Sequence, residues 1–123
     1  MKEIIYKHDA IRGEVIVTPF SLEDVLEKTI ERIREVIQPQ KIILFGSANR
    51  GDMHANSDID LLVITPSGTH RRKTAQMIYK NLIGIGFASD IVVVTEDDIT
   101  RFKDHPGMII QQVLEEGKIL YAA

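Results

Sequence analysis

An α/β domain with a mixed β-sheet and flanking helices is what this sequence of 123 residues predicts, and three observations carry that expectation. Apolar runs at 42–45, 59–64 and 88–95 are rich in β-branched residues and have the length of buried strands. Amphipathic stretches with start and stop signals precede, separate and follow them. The connections also differ in kind. The first run reaches the second through a segment too short for a crossover helix, which makes those strands antiparallel neighbours. A helical stretch joins the second run to the third, which implies a right-handed parallel crossover.

Taken in order, residues 1–20 read as an N-terminal arm or edge hairpin, with strands at 2–7 and 14–18, a turn at Arg12-Gly13 and Pro19 closing the segment. Residues 21–123 form the domain proper. A helix is expected over 21–37: Ser21 and Asp24 make a capping box, and Pro39 lies just beyond the end. Leu22, Val25, Leu26, Ile30, Ile33 and Ile37 form its apolar stripe, while Glu27, Lys28, Glu31, Arg32 and Glu35 form a solvated face. A second helix is expected over 69–83 with Ala75, Ile78, Tyr79 and Leu82 inward, ended by Gly84 and Gly86. Its His70-Arg71-Arg72-Lys73 start reads as a solvated basic face. Thr95 and Asp98 form another capping box, opening a short helix to Lys103. Pro106 suits the first turn of a last helix with Ile109, Ile110, Val113 and Leu114 inward, Gly117 as its stop and a terminal strand at 119–121.

Composition narrows the function classes. With 44% hydrophobic and 27% charged residues the chain reads as globular, and no apolar run approaches the roughly eighteen residues of a membrane span. The Met-Lys-Glu start lacks a secretory h-region, so a cytoplasmic location with no membrane association is expected. The absence of cysteine excludes disulfides, thiolate nucleophiles and Cys-type zinc sites. A net charge of −3 argues against binding along a nucleic-acid backbone. None of His8, His54, His70 and His105 has metal-ligand spacing to another.

The chemistry lies between the first two strands. Gly46-Ser47 ends one run, Ala48-Asn49-Arg50-Gly51 makes a turn, and Ser57-Asp58-Ile59-Asp60 opens the next. Side chains alternate along a strand, so Asp58 and Asp60 share a face. Two carboxylates so placed repel unless a cation lies between them. The parallel crossover brings Asp90, near the start of the third strand, to the same end of the sheet, where it shares a face with Val92 and Val94. A carboxylate in an apolar strand needs a partner.

Gly46-Ser47, Arg50-Gly51, Ser57-Asp58-Ile59-Asp60-Leu61 and Asp90 together resemble the signature of the nucleotidyltransferase superfamily related to DNA polymerase β. In particular the chain resembles its minimal nucleotidyltransferase subgroup, which often pairs with HEPN proteins. The resemblance covers residues 21–121. It implies the polymerase-β-like fold, a Gly-Ser turn binding the triphosphate of a donor such as ATP, magnesium held by Asp58, Asp60 and Asp90, and Asp90 assisting at the attacking hydroxyl. Arg50 would neutralise triphosphate charge or cap its turn. Larger relatives carry a helical acceptor domain, and the residues after Asp90 are too few for one. The expected activity is therefore transfer of a nucleoside monophosphate to a hydroxyl on a HEPN-type partner, as an antitoxin. A contact-only binding module and a free-standing transferase acting on a small molecule or RNA end are the rivals. A homo-oligomer is left open.

Overall fold

The computed structural model describes residues 4–9, 14–46, 49 and 59–123. The N-terminal segment folds as a hairpin: β1 (Ile4–Asp9) pairs antiparallel with β2 (Glu14–Ser21), with an irregularity between Tyr6 and Lys7. It is a two-stranded sheet of its own and not an edge of the main sheet. The Arg12-Gly13 turn expected there lies outside the described residues.

The main sheet is mixed. β3 (Lys41–Phe45) pairs antiparallel with β4 (Ile59–Thr65), which pairs in parallel with β5 (Ser89–Thr95), and β6 (Lys118–Ala122) pairs antiparallel with β3 on its other side. The order is β5-β4-β3-β6, so β5 and β6 are the edges. The antiparallel and parallel pairings expected from connection length are both present.

Alternation sorts the side chains of these strands to two faces. Ile42, Leu44, Ile59, Leu61, Val63 and Ile91 pack with Val25, Leu26 and Ile33 of α1 (Leu22–Val36) and with Ile78 and Leu82, the latter capping α2 (Arg71–Asn81). On the other face Ile43, Leu62, Ile64 and Val94 pack with Ile110 and Val113 of α4 (Ile109–Glu116), flanked by Ile99 and Phe102 of α3 (Glu96–Phe102). Of the expected α1 stripe, Val25, Leu26 and Ile33 are buried, Ile33 completely, while Leu22, Ile30 and, just past the helix end, Ile37 pack partly buried against them. Arg32 departs from the expected solvated face: its guanidinium donates to the Asn81 carbonyl at 3.3 Å and Asn81 returns a bond to the Arg32 carbonyl at 2.7 Å, tying α1 to the end of α2.

The helix ends hold further differences. The Thr95–Asp98 capping box is formed in both directions. At α2 the cap is His70, whose Nδ1 accepts from the Lys73 amide at 3.1 Å, so part of the basic stretch is structural. Gly84 and Gly86 adopt the positive φ that follows a helix end. The last helix begins at Ile109, so Pro106 lies in the turn before it and not in its first turn; Met108, without a side-chain bond, is the N-cap. Ile109 and Leu114, expected inward, are exposed, because eight residues bury only a narrow stripe. Gly117 does end that helix, at a negative φ. What demands glycine there is space, since a Cβ would overlap Ile43 and the Val113 carbonyl.

Candidate active site

The end of β3 and the starts of β4 and β5 meet at one end of the sheet. Phe45 is in register with Asp60, and Asp60 with Asp90, so the three form a row across adjacent strands. The next row, Leu44, Leu61 and Ile91, is buried on the opposite face against α1 and α2. The two carboxylates therefore share the face that carries α3 and α4, on strands separated by about 4.8 Å. Asp60 is half-buried and Asp90 exposed.

Gly46 follows directly from β3 with φ +75°, a conformation that side chains with a Cβ rarely adopt. A Cβ on this residue would collide with the Asp60 carboxylate. The backbone leaving β3 is thus pressed against the first carboxylate of β4, and only glycine permits it. Beyond Gly46, Asn49 donates to the Glu116 carbonyl at 2.8 Å, which ties that side chain to the end of α4. Sequence reading gave Asn49 only a place in a turn.

Of the predicted site residues, the structure brings Gly46, Asp60 and Asp90 together. Ser47, Arg50 and Asp58 lie outside the described residues. Among the described residues no three His, Cys, Asp or Glu side chains converge as a metal cluster. Asp60 and Asp90 supply two carboxylates of the expected three. An oxygen-only donor set beside a backbone approach that excludes any Cβ fits magnesium and a phosphate chain, since magnesium takes oxygen ligands from one or two carboxylates and from phosphates.

A residue that sequence reasoning placed wrongly also touches the site. Tyr79 of α2, expected inward, is 41% exposed and reaches over the open edge of β5. Its hydroxyl accepts from the Ile91 amide at 2.8 Å and lies 3.4 Å from Asp90 Oδ1 and 3.5 Å from the Ile91 carbonyl. The signal for this was present: Tyr79 is one position from the fully buried Ile78, about 100° around the helix, and tyrosine carries a polar tip on an apolar body. A groove of about 950 Å³ between α1 and β6, lined by Leu26, Ile30, Arg34 and Tyr121 among others, holds none of the predicted site residues.

Comparison with known proteins agrees with this fold. A family model described as a nucleotidyltransferase domain matches residues 26–120. A Methanocaldococcus jannaschii protein named "putative protein adenylyltransferase" is 34% identical over 82 residues, covering 67% of this chain and 78% of that protein. Two crystal structures share the fold over 79% of this chain and 73% of theirs. One is a toxin-antitoxin complex with AMP-PNP, at 30% identity and a TM-score of 0.56. The other is a mutant of the toxin-antitoxin pair MntA-HpeT, at 26% identity and a TM-score of 0.58.

Proposed function

The chain belongs to the nucleotidyltransferase domain family and is a nucleotidyltransferase, and from that premise we propose that it transfers AMP from magnesium-ATP to a hydroxyl on a HEPN-type helical partner, acting as an antitoxin. The observation that carries this reading is the register row that sets Asp60 beside Asp90, with the Gly46 backbone pressed on Asp60. The adenylyltransferase name of one relative supports AMP as the group transferred. The AMP-PNP in one structural neighbour supports ATP as the donor, and the toxin-antitoxin titles of two support a protein partner.

Each residue has a role set by its chemistry. Gly46 lets the main chain approach the triphosphate without a side chain between them. Ser47 offers an amide and a hydroxyl to β- or γ-phosphate oxygens, and Arg50 offsets triphosphate charge. Asp58, Asp60 and Asp90 would hold magnesium, which when bound neutralises the entering and leaving oxygens of an in-line displacement. Asp90, outermost on the edge strand, faces the acceptor and takes the proton of its hydroxyl. The acceptor oxygen bonds to the α-phosphorus as the bond to the β-phosphate oxygen breaks, and pyrophosphate leaves.

Co-expression with a candidate HEPN-type partner tests the proposal. The expected result is co-elution in gel filtration and an adenylyl mass increment on the partner that the Asp60→Asn variant does not add. Separate elution with an unmodified partner would instead favour a free-standing transferase. Co-elution without modification, equal in wild type and variant, would favour a module that acts by contact.

A further inference from the structure

We propose that Tyr79 is a positioning residue for Asp90, fixing one oxygen of that carboxylate at the edge of β5 before metal and acceptor arrive. The inference rests on the reading of Asp90 as a metal ligand and extends it to a residue on a different element.

β5 is an edge strand, so its outward main-chain groups have no neighbouring strand to bond. At Ile91 the vacancy is filled by a side chain: the amide donates to Tyr79 Oη at 2.8 Å. A phenol can accept and donate at once, so the hydroxyl keeps its own proton to give. Two acceptors are in reach, Asp90 Oδ1 at 3.4 Å and the Ile91 carbonyl at 3.5 Å. A carboxylate oxygen is the better acceptor of the two, which directs the proton to Asp90. Phenylalanine at this position would supply the same ring and neither bond.

Asp90 has need of such a partner. It is exposed at the second residue of an edge strand, where a short acidic side chain samples its rotamers freely unless something holds it. A carboxylate already held in place binds a cation more tightly than one that must be ordered on binding, and groups that orient metal ligands commonly matter tenfold or more in metal affinity. Tyr79 can do this because its own position is fixed from below. Ile78 and Leu82, on either side of it in the sequence, are buried in the core between α2 and the sheet. The same helix that makes the parallel crossover from β4 to β5 therefore also aims the hydroxyl at the strand it delivers.

Tyr79→Phe separates this role from that of a simple edge cap. Manganese binding, followed by electron paramagnetic resonance in the presence of AMP-PNP, is compared for wild type, Tyr79→Phe, Asp90→Asn and Asp60→Asn, with thermal melting of each. The expected result is that Tyr79→Phe weakens the manganese site lost in Asp90→Asn by about tenfold while the affinity for AMP-PNP itself changes little. With an acceptor present, the variant should lower kcat more than it raises the KM for ATP. A lower melting temperature with wild-type manganese affinity would make Tyr79 an edge cap only and overturn the inference. Retention of manganese by Asp60→Asn would overturn the site reading itself, so the two failures are distinguishable.

Discussion

Replacing Gly46 by alanine probes the closest approach in the candidate site, and Gly68 provides an internal control. Both residues have positive φ, +75° and +89°, so a Cβ at either position meets the same backbone penalty of about 1 kcal/mol. The gain from a less flexible unfolded chain is also shared. The surroundings differ. At Gly68 a new Cβ meets nothing within 4 Å, whereas at Gly46 it would overlap the Asp60 carboxylate and lie 3.3 Å from Asp60 Cβ. Rotating the carboxylate away does not relieve the contact with Asp60 Cβ, so β4 or the chain leaving β3 must shift. Overpacking of that kind costs about 2 kcal/mol. At about 4 °C per kcal/mol for a domain of this size, Gly46→Ala should melt about 8 °C below Gly68→Ala by differential scanning calorimetry. Equal melting temperatures would refute the close approach of Gly46 to Asp60.

Other expectations follow from named contacts. The Thr95 backbone amide, bonded at 2.9 Å, holds the Asp98 carboxyl below the usual carboxylate range, with help from the Thr95 hydroxyl and Arg71 and against partial burial. A lowered folded-state value gives stability that is present above the ordinary aspartate range and lost as pH falls through the lowered one. Asp98→Ala should therefore cost about 1 kcal/mol near neutral pH, and its difference from wild type should shrink in urea melts below about pH 4. Ile33→Ala, at a fully buried position, should cost about 2–5 kcal/mol in the same assay. Gly117→Ala, which would press on Ile43, should cost about 1–3 kcal/mol although its φ is negative.

Much of the architecture was legible because chain connectivity limits the choices. A short link between Phe45 and Ile59 and a helical link between Thr65 and Ser89 fix one antiparallel and one parallel pairing, and alternation then sets Asp60 beside Asp90. The misplacements share a cause. Helical periodicity treats Tyr79, Ile109 and Leu114 as apolar positions that turn inward, but short helices on a four-stranded sheet cannot bury so wide a stripe. Pro106 has a preference for a first helical turn, but the chain makes an additional turn before the helix starts. His70 escaped notice as a cap because histidine is not among the usual capping residues, although its Nδ1 is an acceptor like any other. Arg32 shows that a charged position on an amphipathic helix can be recruited by a neighbouring helix end, which periodicity does not register.

In the proposed reaction Asp60 and its neighbours direct attack on the α-phosphorus of a nucleoside triphosphate. The most direct measurement is transfer of label from ATP to an acceptor protein in the presence of magnesium, run in parallel with α-labelled and γ-labelled nucleotide and repeated with Asp60→Asn. Covalent label from the α position only, abolished by chelator and by the Asp60 substitution, is the expected result. Label arriving from the γ position, or α-label transferred equally by Asp60→Asn, would contradict it.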